Sequence, residues 1–194
     1  MMGGSYAGNA GVFLVQTLFG LYIGAVMLRF LLAVVRADFY NPISQFLVKV
    51  TNPLLVPLRR VIPSMGGLDL ASLVLMLLLQ SLELFIVGLI GGVSFHPLGL
   101  VVLGVAELMS LLFQIYFFTI LIQVVLSWVS PGGYNPAVAL LYSLNEPVLG
   151  RARRILPPMH GFDLSPIVVM IGIQLLNILL VAPISDLGRS LAFG

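Results

Sequence analysis

The sequence predicts an all-α membrane protein with four transmembrane helices, made from one two-span unit that occurs twice. Three observations predict this fold. First, 60% of the 194 residues are hydrophobic and only 8% are charged, whereas a soluble domain carries about 25% charged residues. Second, four apolar stretches reach the roughly 20 residues that a helix needs to cross the hydrocarbon core. Third, an offset of 94 residues superposes the segment between the first two stretches on the segment between the last two.

The four apolar stretches define the predicted spans. They cover residues 11–35, 70–93, 98–129 and 164–182. In lipid every backbone polar group must be satisfied within the segment, so runs this long and this poor in charge are expected to be helices rather than strands. Residues 1–10 contain no Lys or Arg, and a secretory signal needs a basic start, so we expect the first span to be retained.

The repeat is carried by the segment that follows the first span of each unit. Thirteen of the 31 positions in residues 40–70 are identical to those 94 residues later. This predicts a first unit at 1–94 with a connector at 36–69, and a second unit at 95–194 with a connector at 130–163. Two spans per unit make a parallel repeat with both connectors on one side. The shared motif residues include Asn41, Pro42, Pro63 and Asp69, which superpose on Asn135, Pro136, Pro157 and Asp163.

The basic residues predict the orientation. Seven of them lie in the two connectors, and only Arg189 lies on the opposite side. Cytoplasmic loops carry the excess of Lys and Arg. The connectors are therefore expected in the cytoplasm, with both termini outside.

Each connector contains the pattern of an amphipathic helix. In the first one, Ile43, Phe46, Leu47 and Val50 follow the i, i+3, i+4, i+7 spacing, which predicts a short helix lying in the headgroup layer. Proline suits a first helical turn and interrupts a helix interior, so Pro42 is expected to begin this helix and Pro53 to end it. The second connector has Ala137, Leu140, Leu141 and Leu144 at the same spacing. Asp69 and Asp163 are expected to cap the spans that follow.

The connector motif resembles a known family. Asp38-Phe-Tyr-Asn-Pro-Ile-Ser-Gln-Phe, followed by Pro-Leu-Arg-Arg-Val-Ile-Pro and Gly-Gly-Leu-Asp, is similar to the YggT/YlmG family of small bacterial and plastid membrane proteins, over nearly the whole chain. The resemblance implies an inner-membrane or thylakoid location. It also implies associations with osmotic tolerance, cell division and cytochrome maturation, and it implies neither an agreed activity nor a catalytic residue.

Two groups of residues are candidates for a site. The pairs Arg59-Arg60 and Arg153-Arg154 are candidates for binding anionic lipid headgroups or an acidic partner, because a guanidinium grips phosphate in a bidentate fork. The favoured alternative is that they only orient the chain and pair with Asp69 and Asp163. Glu83 and Glu107 are each 12 residues from the turn near Phe95, which places them at similar depth in a helical hairpin and suggests a proton or cation site. Gln80, Gln114, Gln174 and Asn177 are its possible polar neighbours. The alternative is that each glutamate is only protonated or hydrogen-bonded at a helix interface.

Other chemistries find little support in the sequence. His96 and His160 fall on opposite sides of the predicted membrane, and no metalloprotease motif, phosphate loop or activated nucleophile is present. We therefore predict no enzyme activity, catalytic residue, cofactor or metal, and no nucleic-acid partner. The glycine pairs Gly20/Gly24 and Gly88/Gly92 permit close helix contacts, within the chain or between copies.

The predicted function is that of a non-enzymatic membrane-organising or assembly factor of a bacterial inner membrane. Its partners would be anionic lipids, other membrane proteins or further copies of the chain. The alternative is a small cation channel or transporter that uses Glu83 and Glu107.

Overall fold

The computed structural model is all-helical over the part of the chain that it describes, residues 6–129, 135–156 and 163–193. Pro157, which the sequence assigned to the connector motif, lies outside these residues. The helices are α1 (Tyr6–Val34), α2 (Pro42–Arg59), α3 (Leu70–Gly91), α4 (Pro97–Val129), α5 (Pro136–Ile155), α6 (Ser165–Leu176) and α7 (Ala182–Phe193), with a π turn (Asn177–Val181) joining α6 to α7.

Four helices are long and apolar enough to cross a membrane, which confirms the predicted number of spans. They are α1, α3, α4 and the continuous helix that α6, the π turn and α7 form together. This fourth helix runs to Phe193, so the predicted end at residue 182 was wrong. The extension contains Pro183, which lacks an N–H and crowds the preceding turn of an α-helix. The π turn accommodates that proline, since the Ala182 N–H bonds to the Asn177 carbonyl five residues back.

The connector helices are longer than the sequence suggested. Pro53 and Pro57 lie inside α2, and Pro147 lies inside α5, so the prediction that Pro53 ends the first connector helix was wrong. All three prolines are exposed. Pro53 and Pro57 are four residues apart and therefore share one face of α2. The missing hydrogen bonds lie together on the outside, while the inward face of the helix remains regular.

The main hydrophobic core joins both connector helices to the first two spans. Its buried members come from α1, α2, α3 and α5, and a smaller cluster joins α4, α5 and α6. Leu55 of α2 and Leu149 of α5, which are 94 residues apart, are both fully buried. The larger core consists of Ile23, Val26, Met27, Leu31, Leu32, Leu47, Leu55, Ala71, Leu75, Met76, Leu140 and Leu144.

The last helix packs closely on α4 through small residues. A Cβ added at Gly99 would lie 2.4 Å from the backbone of Ala192, and one added at Gly188 would lie 2.9 Å from the Leu103 side chain. The His96 N–H bonds to the Ala192 carbonyl at 3.2 Å. The end of α7 therefore lies beside the turn between α3 and α4, at the opposite end of the spans from α2 and α5. By contrast, a Cβ at Gly20 or Gly24 would contact nothing within 4 Å.

Candidate functional site

The motif before α2 forms a hydrogen-bonded helix start. The Asp38 carboxylate accepts the Tyr40 N–H at 2.9 Å, and the Asn41 carboxamide oxygen accepts the Ile43 N–H at 3.0 Å. Ser44 donates to the Asp38 carbonyl, and Gln45 donates to the Phe39 carbonyl. The Asn41 side chain thus satisfies one N–H group that a helix start leaves without a partner, and the other bonds hold the turn before α2.

Asn41 also joins the two connector helices. Its side-chain nitrogen donates to the Pro136 carbonyl, at the first residue of α5, at 2.8 Å. Asn41 is buried, whereas Asn135, which caps α5 through the Ala137 N–H, is exposed. Helices α2 and α5 therefore form one layer, which we name the connector layer.

Helix α2 has three faces. Ser44, Leu47, Thr51 and Leu55 are buried against the spans. A neighbouring strip of large apolar side chains is exposed, including Phe46 at 63% exposure. Polar side chains occupy the remaining side. The predicted apolar face therefore divides: Leu47 packs inward, and the exposed apolar strip is Ile43, Phe46 and Leu54.

Arg29 fastens α1 to α2. Its Nη1 donates to Thr51 Oγ1 at 2.6 Å and to Asn52 Oδ1 at 2.9 Å, with a longer contact of 3.4 Å to the Val48 carbonyl. All three acceptors are uncharged. Arg29 lies five residues before the end of α1, about 7.5 Å along the helix.

The equivalent residues of the second unit, 94 positions later, form a second buried polar contact, and its side chains are all uncharged. Gln123 takes the place of Arg29, and Asn145 takes the place of Thr51. Asn145, which is fully buried, donates to Gln123 Oε1 at 2.8 Å and accepts from Thr119 Oγ1 at 2.8 Å. Each connector helix is thus attached to the span before it through a buried side-chain hydrogen bond.

One arginine of each predicted pair forms an ion pair with the aspartate that precedes the next span. Arg59 pairs with Asp69, and Arg153 Nε lies 2.8 Å from Asp163 Oδ2. Arg153 also pairs with Glu146 at 2.9 Å. The other members, Arg60 and Arg154, are exposed and form no ion pair with any described residue. The motif residue Pro63, which lies between Arg60 and Asp69 in the chain, is exposed as well.

Both aspartates serve the helix starts as well. Asp69 is the N-cap of α3 and accepts the Ser72 N–H, as predicted. Asp163 lies one residue before the N-cap of α6 but still accepts the Ser165 N–H at 2.9 Å. Partial burial alone raises the pKa of each carboxyl, but the hydrogen bonds from the serine and the arginine outweigh it and hold each pKa below its usual value.

The predicted glutamate pair is divided between two environments. Glu83 is buried and accepts a hydrogen bond from Gln80 Nε2 at 3.0 Å, one turn earlier on α3. Glu107 is exposed on α4, although it is near enough to Glu83 for an electrostatic interaction. Gln114, Gln174 and Asn177 lie elsewhere, in an open groove between α4 and the fourth span. The structure therefore brings Gln80 to Glu83 but does not gather all the predicted polar neighbours at one site.

The sequence analysis did not connect the polar residues of these two contacts to a site; they are Arg29, Thr51, Asn52, Thr119, Gln123 and Asn145. The sequence does contain an indication for Arg29, since a charged residue inside an apolar span marks either a partner or a function.

No three His, Asp or Glu side chains come together as a metal site within the residues that the structure describes.

A chain of four apolar membrane-length helices with helical connectors is a multi-pass α-helical membrane protein. The CCB3/YggT family model matches residues 8–90 and again residues 102–184. The chain is 47% identical to a protein of Pseudomonas aeruginosa over 175 residues, 89% of each chain. It is also 43% identical to a Vibrio alginolyticus protein over 175 residues, 89% of this chain and 94% of that one.

The chain belongs to the CCB3/YggT family. The Escherichia coli K12 member named YggT is 37% identical over 169 residues, which cover 87% of this chain and 88% of that protein. No solved structure matches the chain.

Proposed function

We propose that this protein is a non-enzymatic membrane-organising or assembly factor whose connector layer is the working surface. The observation that carries the proposal is the 2.8 Å hydrogen bond from Asn41 to Pro136, which ties α2 to α5. A layer held this way presents the exposed apolar strip of α2 and exposed basic residues such as Lys49 and Arg60 together. Such a surface suits lipid headgroups and membrane-embedded partners.

In this proposal, the two units of the chain arose by duplication of one ancestral unit. Three observations support it: the family model matches twice at an offset of 94 residues, both arginine–aspartate pairs recur at that offset, and so do both buried polar contacts beneath the connector helices. The units differ in charge at equivalent positions, since Gln123 replaces Arg29 and Glu146 replaces Asn52.

The connector layer faces the cytoplasm of a bacterial inner membrane in this proposal. The excess of basic residues in the connectors supports that orientation. The chain has no cysteine, so single cysteines at Lys49 and Ser190 give unambiguous labels. A membrane-impermeant maleimide is expected to label Lys49→Cys only in inverted vesicles and Ser190→Cys only in intact spheroplasts. The reverse pattern would refute the orientation.

Photo-crosslinking from the exposed strip tests the organising role. A photoreactive residue at Phe46 or Lys49 is expected to capture defined membrane proteins or lipids in intact cells, because both side chains are exposed on α2. Phe118 on α4 is a matched control, since it is 57% exposed but lies within a span. The same products from Phe118 and Phe46 would show that the connector layer has no special role.

A small cation channel or transporter is the second candidate. It is favoured by the buried Glu83, which has an acidic neighbour in Glu107. Potassium or proton flux into liposomes, present for the unaltered protein and absent for the Glu83→Gln/Glu107→Gln variant, would support transport and contradict the organising role. An absence of flux in both folded, inserted proteins would remove the transport candidate.

A further inference from the structure

A small cavity lies between the end of α1 and the start of α2. It measures about 210 Å³, and its polar lining includes Arg29 and Arg59. Leu32, Leu47 and Val48 form part of its apolar wall. The cavity therefore combines two guanidinium groups with hydrocarbon, which is the chemistry of an anionic group that carries an apolar tail.

Arg29 forms no ion pair with any residue in the described ranges, although Asp69 is near enough for an electrostatic interaction. Its hydrogen bonds with the described residues all use Nη1 and all go to uncharged oxygens. Its Nη2 and Nε remain free to donate to a ligand, as far as the described residues show. The bonds to Thr51 and Asn52 fix the guanidinium in place, so little further ordering is needed on binding.

Arg59 approaches the cavity from the end of α2. It shares its charge with Asp69, but its side chain is 40% exposed and retains donors beyond that pair. The two arginines repel each other unless an anion lies between them. With one carboxylate for two guanidinium groups, the cluster of Arg29, Arg59 and Asp69 has a net charge of +1.

The equivalent region of the second unit lacks this excess. Gln123 stands where Arg29 stands in the first unit, so one guanidinium is missing. Arg153, the equivalent of Arg59, is paired with both Asp163 and Glu146. Among the described residues, Arg153, Asp163 and Glu146 together have a net charge of −1, so the second unit provides an internal reference that has the same frame and the opposite net charge.

We infer that the Arg29–Arg59 cavity binds a phosphate group, and that its apolar wall selects a phosphate carried by a membrane lipid over a free one. The inference rests on the proposed function and names the ligand of one position in the connector layer. The free guanidinium donors of Arg29 and Arg59 bind the phosphate oxygens, and the glycerol and first acyl carbons lie against Leu32 and Leu47. Charge-assisted hydrogen bonds of this kind are the strong ones in proteins.

Native mass spectrometry of the full-length protein in detergent micelles tests the site. Phosphatidylglycerol is the probe, phosphatidylcholine with the same acyl chains is the zwitterionic reference, and inorganic phosphate and glycerol 3-phosphate represent the soluble source. One phosphatidylglycerol adduct is expected at concentrations where phosphatidylcholine gives none. Equally strong binding of the soluble phosphates would keep the phosphate site but overturn its assignment to lipid.

Arg29→Gln and Arg60→Gln form a matched pair of variants. Arg29→Gln installs the residue found at position 123 and is expected to weaken the adduct about tenfold or more, the effect of one lost charge-assisted hydrogen bond. Arg60→Gln removes an equal charge outside the cavity and is expected to change it less than about twofold. Equal losses in both variants would overturn the site and leave the proposed function standing, because binding would then follow overall charge.

A third variant keeps the inference testable if Arg29→Gln does not fold. Asp69→Asn preserves the N-cap, since Asn caps as well as Asp, but removes the carboxylate that competes for Arg59. It is expected to tighten phosphatidylglycerol binding. Unchanged or weaker binding would contradict the inference. If photo-crosslinking from the connector layer of the otherwise unaltered protein captured neither a partner protein nor a lipid, that result would instead contradict the proposed function.

Discussion

The two hydrogen bonds of the Asn41 side chain can be separated by substitution. Asn41→Asp keeps the oxygen that caps α2 but replaces the donor to Pro136 with a second acceptor. Asn41→Ala removes both bonds. Asn135→Ala removes only a cap, at an exposed position, and is therefore the matched control.

The expected losses follow from the burial of Asn41. A lost N-cap costs about 1 kcal/mol of the free energy of unfolding. A lost side-chain hydrogen bond costs about 0.5–1.5 kcal/mol more, and the 6% exposure of Asn41 favours the upper end of that range. We expect losses of about 1.5–2.5 kcal/mol for Asn41→Ala and about 1 kcal/mol for Asn135→Ala. For Asn41→Asp we expect about 1–3 kcal/mol, because a buried acceptor would then face the Pro136 carbonyl.

Unfolding in mixed micelles measures these differences. The protein in dodecyl maltoside is titrated with dodecyl sulfate, and the midpoint and slope give the free energy of unfolding for each variant. If Asn41→Ala and Asn135→Ala lose the same amount, the bond between α2 and α5 contributes nothing and the reasoning behind a single connector layer is refuted. A neutral Asn41→Asp would refute it independently, because that variant loses only the bond to Pro136.

Three further variants test the packing and the electrostatics. Gly99→Ala is expected to cost about 1–3 kcal/mol of the free energy of unfolding, because its Cβ would meet Ala192 at 2.4 Å. Gly20→Ala, whose Cβ would meet nothing within 4 Å, is expected to be neutral or stabilising. Equal effects of the two variants in the micelle titration would contradict the packing of α7 on α4. Asn145→Ala is expected to cost about 2–4 kcal/mol, since it leaves the buried Gln123 oxygen without its donor and also removes the bond from Thr119. A loss below about 0.5 kcal/mol would contradict that contact. The pKa of Asp69 lies below its usual value in the folded protein, so the stability that its carboxylate provides is full above about pH 4 and is lost as the pH falls through the lowered pKa. The difference in melting temperature between the unaltered protein and Asp69→Asn should therefore narrow in acid. A difference that stays constant would contradict the ion pair.

The sequence could predict the four membrane helices because crossing lipid imposes a length and a composition on each segment. It misplaced the end of α2, because Pro53 was taken to stop that helix. The rule concerns a missing N–H and a steric clash. At Pro53 and Pro57 both fall on an exposed face, and at Pro183 a π turn relieves them. Whether such relief exists depends on tertiary surroundings, which local residue patterns do not contain.

The candidate sites, like the helix ends, were predictable only where local residue patterns decide the outcome. The capping role of Asp69 follows from residue type and position alone, and the structure confirms it. Counting residues along the hairpin gives the depth of Glu83 and Glu107 but not their direction, because direction depends on how each helix is rotated; Glu83 points inward and Glu107 outward. The contact of Arg29 with α2 was missed for the same reason, since it requires knowing which side of α1 the connector helix covers.

The π turn at Asn177–Val181 sets the rotational phase between α6 and α7. Five residues of a π turn cover about the same rotation as four residues of an α-helix. Removing one residue there, such as the exposed Leu179, would therefore restore regular α-helical spacing and keep Gly188 and Ala192 directed at α4. The cost would come from Pro183, whose ring would then crowd a regular preceding turn. Replacing Leu179 with another apolar residue would keep the π turn. This segment is therefore expected to tolerate the substitution of a residue better than the loss of one, because its length relieves the proline and the identity of its side chains does not.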